Sequence, residues 1–270
     1  MRAWKHGFVW VLGLGCASGG ASGPTFEYGP TSSPARYDIL SRSSALIDSP
    51  MGIQETGDST LATVVIEVGN LGQGSHEVAV TFEAMAVHLV GAVTGTTEGG
   101  DLLNRRLIGS LSPTGRIHLV AEDVPMVGEY DPAALLTDFL VPMPMDGNTA
   151  EPWTVRTSVT VRGQIEVTSE FDGTAQIVGD TTWNGRTAKI IRADGRVTQN
   201  GSGQPSESPV PIEFSWTGNS TRTYVWDHLA GMMLAAVVTE EVSGPLTLVG
   251  LDMSLQATAE GTTWIQLIQE

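Results

Sequence analysis

The sequence predicts a mostly β protein, built on a large twisted antiparallel sheet that forms an incomplete barrel or a sandwich, with one short helix. Two observations support this prediction. Apolar and polar residues alternate with a period of two along several segments, which is typical of strands with one buried face. Asx-Gly pairs, which suit tight hairpin turns, punctuate the second half of the chain.

Composition narrows the class of protein. The chain has 270 residues, of which 41% are hydrophobic and 16% are charged, so it can bury a core and is not a disordered chain. Its 30 acidic and 14 basic residues give a net charge of −16. A surface this acidic argues against a nucleic-acid binder, because neutralising phosphates needs basic side chains. The chain has no apolar run of about 18 residues, so a polytopic helical membrane protein is also excluded.

Residues 1–15 have the pattern of a secretory signal peptide. Arg2 and Lys5 precede the apolar stretch 7–14, which is too short to span a membrane. The one cysteine of the chain, Cys16, follows directly. This arrangement resembles a bacterial lipoprotein signal, in which a small residue precedes the cysteine that is acylated.

The resemblance implies that Cys16 is the lipid-attachment residue and the first mature residue. It also implies a location in the bacterial cell envelope, with the protein anchored at the periplasmic face of the outer membrane. Ordinary signal cleavage within residues 17–23, which would release the protein into the periplasm, remains the alternative.

The mature chain divides into a tether and a domain. Residues 16–35 are rich in Gly, Ser and Pro, a composition typical of a flexible tether. Residues 36–270 are predicted to form a single β-rich domain, because strand signals resume in the same style after each loop. Two β subdomains that meet near residues 142–152 are the alternative.

Strand signals run through both halves of the domain. Residues 78–86 alternate so that one face is apolar, and His88 falls in register with that face, which predicts a core or rim position for it. Asp172-Gly173, Asn184-Gly185 and Asp194-Gly195 predict three two-residue hairpin turns in a meander, each with a glycine at positive φ. Residues 228–238 fit either a buried strand or a helix, and the β pattern around them favours the strand.

One helix is predicted after Tyr130. Asp131 is a suitable N-cap, Pro132 fits the first turn, and Pro142 ends the segment. The apolar residues in and after this helix are candidate ligand contacts if the segment covers a cavity: Leu136, Phe139, Leu140, Met143 and Met145. The alternative is that the same residues fill the core at one end of the sheet.

The sequence carries no recognisable motif for catalysis or metal binding. The histidines lack the spacings of metal sites, and the mature chain has no G-x-S-x-G nucleophile elbow. We therefore predict no catalytic residue, no metal, no cofactor and no enzymatic activity.

The second half of the chain carries a family resemblance. An alternating strand led by Trp153 is followed by residues 179–190 (GDTTWNGRTAKI) and later by residues 223–227 (TYVWD). This order resembles β-rich bacterial envelope proteins of uncharacterised families. More distantly it is similar to LolA-like and LppX-like lipoproteins, which fold as an incomplete barrel over a hydrophobic cavity.

The resemblance implies a protein that binds an apolar ligand or an envelope partner and contacts the membrane through its lipid anchor. A structural or assembly module without a small-molecule site is the alternative, and a secreted hydrolase is a third hypothesis.

Overall fold

The computed structural model describes residue 28 and residues 33–268, apart from residues 73, 92–93, 113, 120–123, 129, 138, 145, 206–209 and 252. The predicted signal peptide, Cys16 and Met145 lie outside the described residues. Within the described part of the chain, no helix combines the length and apolar character needed to cross a membrane.

Twelve strands form one antiparallel sheet, which confirms the predicted fold class. In chain order the strands are β1 (Ala35–Ser49), β2 (Gly52–Gly72), β3 (Ser75–Val90), β4 (Gly95–Glu98), β5 (Arg106–Leu111), β6 (Ile117–Leu119), β7 (Trp153–Val161), β8 (Ile165–Trp183), β9 (Arg186–Gly203), β10 (Ile212–Asp227), β11 (Met232–Leu248) and β12 (Met253–Leu267). The helix α1 (Ala133–Thr137) lies between β6 and β7 in sequence, and a 3₁₀ turn (Gly100–Leu102) follows β4.

The first and last strands pair at the centre of the sheet. The order is β6-β5-β3-β2-β1-β12-β11-β10-β9-β8-β7, and β4 pairs with β3 beside this path. The sheet therefore ends in β6 on one side and β7 on the other, with no ladder joining them among the described residues. The Arg116 guanidinium donates a hydrogen bond to the Arg156 carbonyl at 2.8 Å, which holds the two margins near each other.

The core lies on one face of the sheet, called here the inner face, which carries Tyr37 and Ile39. Tyr37 pairs with Val64 on one side and Leu267 on the other, and all three side chains are buried. The chain between β6 and β7, called here the connector, carries α1. It packs on this face at Phe139, whose ring meets Tyr37 edge to face at 4.8 Å. The hydroxyl of Tyr28 donates to the Val141 carbonyl at 2.9 Å and ties the N-terminal end to this connector.

The predicted helix cap is confirmed. The Oδ1 atom of Asp131 accepts a hydrogen bond from the Ala133 amide at 3.0 Å, and Oδ2 accepts one from Arg162 Nε at 3.0 Å. The helix is shorter than expected and ends at Thr137. Residues 139–144 continue as irregular chain, in which Phe139 and Val141 are buried.

The meander of three tight turns is wrong at two of its three positions. Asn184 and Gly185, with φ of 46° and 82°, form the predicted turn between β8 and β9. Gly173 and Gly195 instead face each other inside these two strands. An ideal Cβ on either glycine would lie 2.5–2.6 Å from the ring of Phe171, so these glycines make room for an aromatic ring rather than for a turn.

The prediction for His88 is also wrong. The ladder between β2 and β3 shifts register at Val64 and Phe82, which is a β-bulge. Beyond the bulge Met85 and Val87 point inward and are buried, so His88 is exposed and its Nδ1 lies 2.8 Å from Thr96 Oγ1. Of the segment 228–238, residues 228–231 form the turn before β11 and residues 232–238 form its start, so the predicted strand is confirmed from Met232 onward.

Candidate functional site: a cleft on the inner face of the sheet

A cleft of about 510 Å³ lies on the inner face, between the core and the β1–β2 hairpin. Most of its walls come from strands β1, β2, β10, β11 and β12, with single residues from β3, β8 and β9, and Tyr130, Ala134 and Leu135 of the connector cover part of it. A volume of this size falls within the range of small-molecule sites, roughly 300–1,000 Å³. The cleft is therefore a candidate site that the sheet and its connector make together.

One wall of the cleft is polar. Alternate residues of a strand share a face, so Ser41 and Ser43 of β1 lie on the same inner face as Tyr37 and Ile39. The two serines lie farther along the strand from the core. Ser41 Oγ lies 2.9 Å from Thr263 Oγ1 on β12. Ser43 stands opposite Asp58 of β2, and its hydroxyl donates to the Asp58 carboxylate.

Asp58 is a carboxylate of this polar wall. Its removal from water raises the pKa of the carboxyl above 3.8, and the hydrogen bond from Ser43 partly opposes that rise. The contact with Ser43 is to a neutral hydroxyl, so it does not balance the charge of the ionised carboxylate. Asp58 is thus suited either to accept a cationic group or, when protonated, to donate a hydrogen bond.

A second carboxylate, Glu240 of β11, is paired within the sheet. Arg222 Nη2 lies 3.2 Å from Glu240 Oε1, and only 3% of Arg222 is exposed. The Arg222 guanidinium carbon also lies 4.1 Å from the centre of the Phe171 ring. Glu240 is therefore already paired with a cation of the protein on the inner face.

The other wall is apolar. The rings of Phe214 and Trp216 stack at 4.2 Å with an angle of 27° between their planes. The indole N–H of Trp216 donates to the Pro245 carbonyl at 3.2 Å, which satisfies its polar atom within the protein. Val167, Val242 and Leu135 complete the wall. The cleft is therefore amphiphilic, with aromatic carbon at one side and hydroxyls and a carboxylate at the other.

A buried hydroxyl lies next to the polar wall. Thr60 pairs with Ser41 across β1 and β2 on the inner face, and its side chain is fully buried. Within the described part of the chain its Oγ1 has no hydrogen-bond partner. A buried hydroxyl in this state costs free energy, and a polar group brought beside Ser41 would lower that cost.

The candidate residues from the sequence lie in three different places. Phe139 and Met143 are core residues, 0% and 4% exposed. Leu136 and Leu140 border a second cleft of about 560 Å³ between β6 and β7. Their neighbour Leu135 reaches the inner-face cleft. Met145 lies outside the described residues, so the structure does not gather the predicted set around one cavity.

The polar residues of the cleft were missed because they come from strands far apart in sequence. Ser43 and Asp58 meet only through the pairing of β1 with β2, and Glu240 reaches the same face through β11. A weak signal was present: the inward positions of β1 change from Tyr37 and Ile39 to Ser41 and Ser43, which breaks an otherwise apolar face. Among the described residues, no group of three or more His, Cys, Asp or Glu side chains is arranged to hold a metal ion.

Comparisons with known proteins give only distant structural neighbours. No family model matches the chain, and no curated protein matches it. The trimer form of OmpT, an outer membrane protein of Vibrio cholerae, is 10% identical with a TM-score of 0.18, over 86% of this chain and 99% of that one. A putative outer membrane lipoprotein-sorting protein domain from Vibrio parahaemolyticus is 7% identical with a TM-score of 0.16, over 86% of this chain and 83% of that one.

Proposed function

We propose that this chain is an exported envelope protein that binds an amphiphilic small molecule in the inner-face cleft. The observation that carries the proposal is the division of the cleft into two walls. The stacked rings of Phe214 and Trp216 would hold an apolar chain, and Ser43 and Asp58 would hold its polar head. Sites of this kind combine an apolar lining with a few placed polar groups.

The placement of the two inner-face carboxylates supports binding rather than hydrolysis. Asp58 and Glu240 occupy equivalent positions on β2 and β11, with β1 and β12 between them. Three strand spacings separate them, which is about 14 Å along the sheet. Glycosidases place their two carboxyl groups roughly 5–9.5 Å apart. Glu240 is moreover held by Arg222, so Asp58 would act in recognition and not as half of an acid–base pair.

The proposed location rests on the N-terminal sequence. A signal peptide in residues 1–15 would direct export, and acylation of Cys16 would anchor the domain at the periplasmic face of the outer membrane. Tyr28 is buried and donates to the Val141 carbonyl, so the chain between Cys16 and Tyr28 would form the link between the anchor and the domain.

Binding can be tested with the mature chain carrying Cys16→Ser, so that no acyl chain competes for the cleft. We would titrate it with a fluorescent fatty acid, and separately with an alkylamine and an alcohol of the same chain length. We expect one probe to bind per chain. Phe214→Ser should weaken that binding roughly tenfold, because it removes apolar contact area from the wall.

The matched control is Val178→Ser, which removes an apolar side chain that is 46% exposed on β8. It should leave probe binding unchanged. A folded chain that takes up none of the three probes would contradict the proposal. It would favour the structural module, in which the connector fills the core at one end of the sheet.

A further inference from the structure

Two neighbouring hairpins at one end of the sheet expose large apolar side chains. In the β1–β2 hairpin Met51 is 86% exposed and Ile53 is 73% exposed, and in the β11–β12 hairpin Leu251 is 54% exposed. The two hairpins are adjacent because Asp48 of β1 pairs with Gln256 of β12. The apolar tip, as we call this surface, consists of Leu46, Met51, Ile53, Val249, Leu251 and Met253.

The apolar side chains occupy both faces of the strand ends and the turns themselves. Ile53 pairs with Asp48 on the outer face, whereas Met253 pairs with Leu248 on the inner face. Turn positions usually carry polar residues, yet Met51 and Leu251 lie in the two turns. A contact with one protein surface would need apolar residues on one face only. Apolar residues on both faces and at the turns fit a tip that inserts into an apolar medium.

The charges around the tip indicate which kind of surface it can contact. Residues 43–57 and 245–257 contain no lysine or arginine, and they include Asp48, Glu55 and Asp252. The whole chain carries a charge of −16. Anionic lipids attract basic segments and repel acidic ones, so this tip is suited to headgroups without net charge.

The tip lies beyond the cleft along β1, on the side away from the core. Along β1 the chain passes from the core at Ile39 to the cleft at Ser43 and then to the hairpin after Ser49. Six residue steps along the strand separate Ser43 from Ser49, which is about 20 Å. A surface that received the tip would thus lie within about 20 Å of the polar wall of the cleft.

We infer that the apolar tip docks on a lipid bilayer with zwitterionic headgroups and inserts its two hairpins there. The docking rests on the tip alone. The consequence, that the cleft takes up its ligand at the bilayer surface, rests on the function proposed above.

The test measures partitioning of the mature Cys16→Ser chain onto phosphatidylcholine vesicles by co-sedimentation, with no cleft ligand added. We expect binding that falls at least tenfold in the variant Met51→Ser/Leu251→Ser, because each substitution removes a large apolar side chain from the inserted surface. Vesicles that contain phosphatidylglycerol should bind the parent chain more weakly.

The matched control is Leu229→Ser in the β10–β11 turn at the opposite end of the sheet, where Leu229 is 82% exposed. It should partition like the parent chain. Equal partitioning of the parent and the tip variant would overturn the inference, as would a parent dimer in size-exclusion chromatography that the tip variant abolishes, because that would assign the tip to a second copy of the chain. If the parent chain bound vesicles but took up none of the cleft probes in solution, the proposed cleft function would be contradicted and the docking inference would stand.

Discussion

Gly173 of β8 and Gly195 of β9 face each other directly, and the ring of Phe171 lies over both. The same ring contacts the guanidinium of Arg222 on β10. The two glycines leave space on the inner face that an aromatic ring fills, and this contact joins three strands beside the cleft. An aromatic side chain over strand glycines is a known way to recover the packing that glycine loses.

We expect Gly173→Ala to destabilise the domain by about 2 kcal/mol, because overpacking of a filled site usually costs 1–3 kcal/mol. The new Cβ would lie 2.5 Å from the Phe171 ring and 2.6 Å from the Asp194 carbonyl oxygen. Urea unfolding followed by tryptophan fluorescence measures the change. Gly179→Ala on the same strand is the control, since no atom lies within 4 Å of its Cβ position. Equal stability of the two variants would show that Phe171 does not depend on the glycine pair.

The glycine pair also shows how far the sequence could predict the fold. Alternation is a local property, so the β class and the strands around residues 78–86 and 232–238 followed from the sequence. Strand pairing is not local: Asp172-Gly173 and Asp194-Gly195 have the composition of turns, and only their pairing shows that they accommodate a ring. Asn184-Gly185, with the same composition, is a turn. The bulge that turns His88 outward likewise leaves no mark in the alternation around it.

The candidate site was harder to predict than the fold. The sequence identified the connector around Phe139, whose apolar residues are consecutive. The cleft depends instead on the register of strands from both halves of the chain, and Ser43, Asp58 and Trp216 line it together only in the folded sheet. Serines and an aspartate in a chain rich in both carry no signal of their own.

Removal of Arg222 should destabilise the domain strongly. Arg222→Met would leave Glu240, whose side chain is 20% exposed, without its cation. Breaking a buried pair from one side costs about 3–5 kcal/mol, so we expect a loss toward the lower end of that range. The double variant Arg222→Met/Glu240→Gln should recover part of that loss, because it removes the remaining charge as well. Unfolding free energies of the parent, Arg222→Met, Glu240→Gln and the double variant give the coupling energy between the two side chains. Additive effects would mean that the two side chains contribute independently.

Phe139→Ala should cost about 3–5 kcal/mol, the usual range for truncating a buried aromatic side chain. Phe139 is 0% exposed and meets Tyr37 edge to face at 4.8 Å, so the substitution opens a cavity between the connector and the central strands. Thermal unfolding measures the loss. Leu61→Ala on β2, at a position 53% exposed, should change the stability little. A small effect of Phe139→Ala would indicate that the connector is only loosely packed, as a cover over a cavity would be.

The pH dependence of stability should reveal the environment of Asp58. Burial raises the pKa of its carboxyl in the folded chain above the value in the unfolded chain, so the folded state binds the proton more tightly. The resulting stabilisation is fully present below the unfolded pKa, near 3.8, and is lost as the pH rises through the folded pKa. At neutral pH the ionised carboxylate is therefore a net cost to the fold.

Asp58→Asn removes that cost while keeping a side chain that can hydrogen-bond to Ser43. We expect the variant to be more stable than the parent at neutral pH, and the difference to shrink as the pH falls toward 3.8. Urea unfolding of both chains between pH 3 and 8 measures this difference directly. Asp48→Asn, at an exposed position of β1, controls for the loss of one negative charge. If Asp58→Asn were instead the less stable chain at neutral pH, the carboxylate would be held in its ionised form by the surrounding hydroxyls, and its part in the cleft would be that of a fixed negative charge.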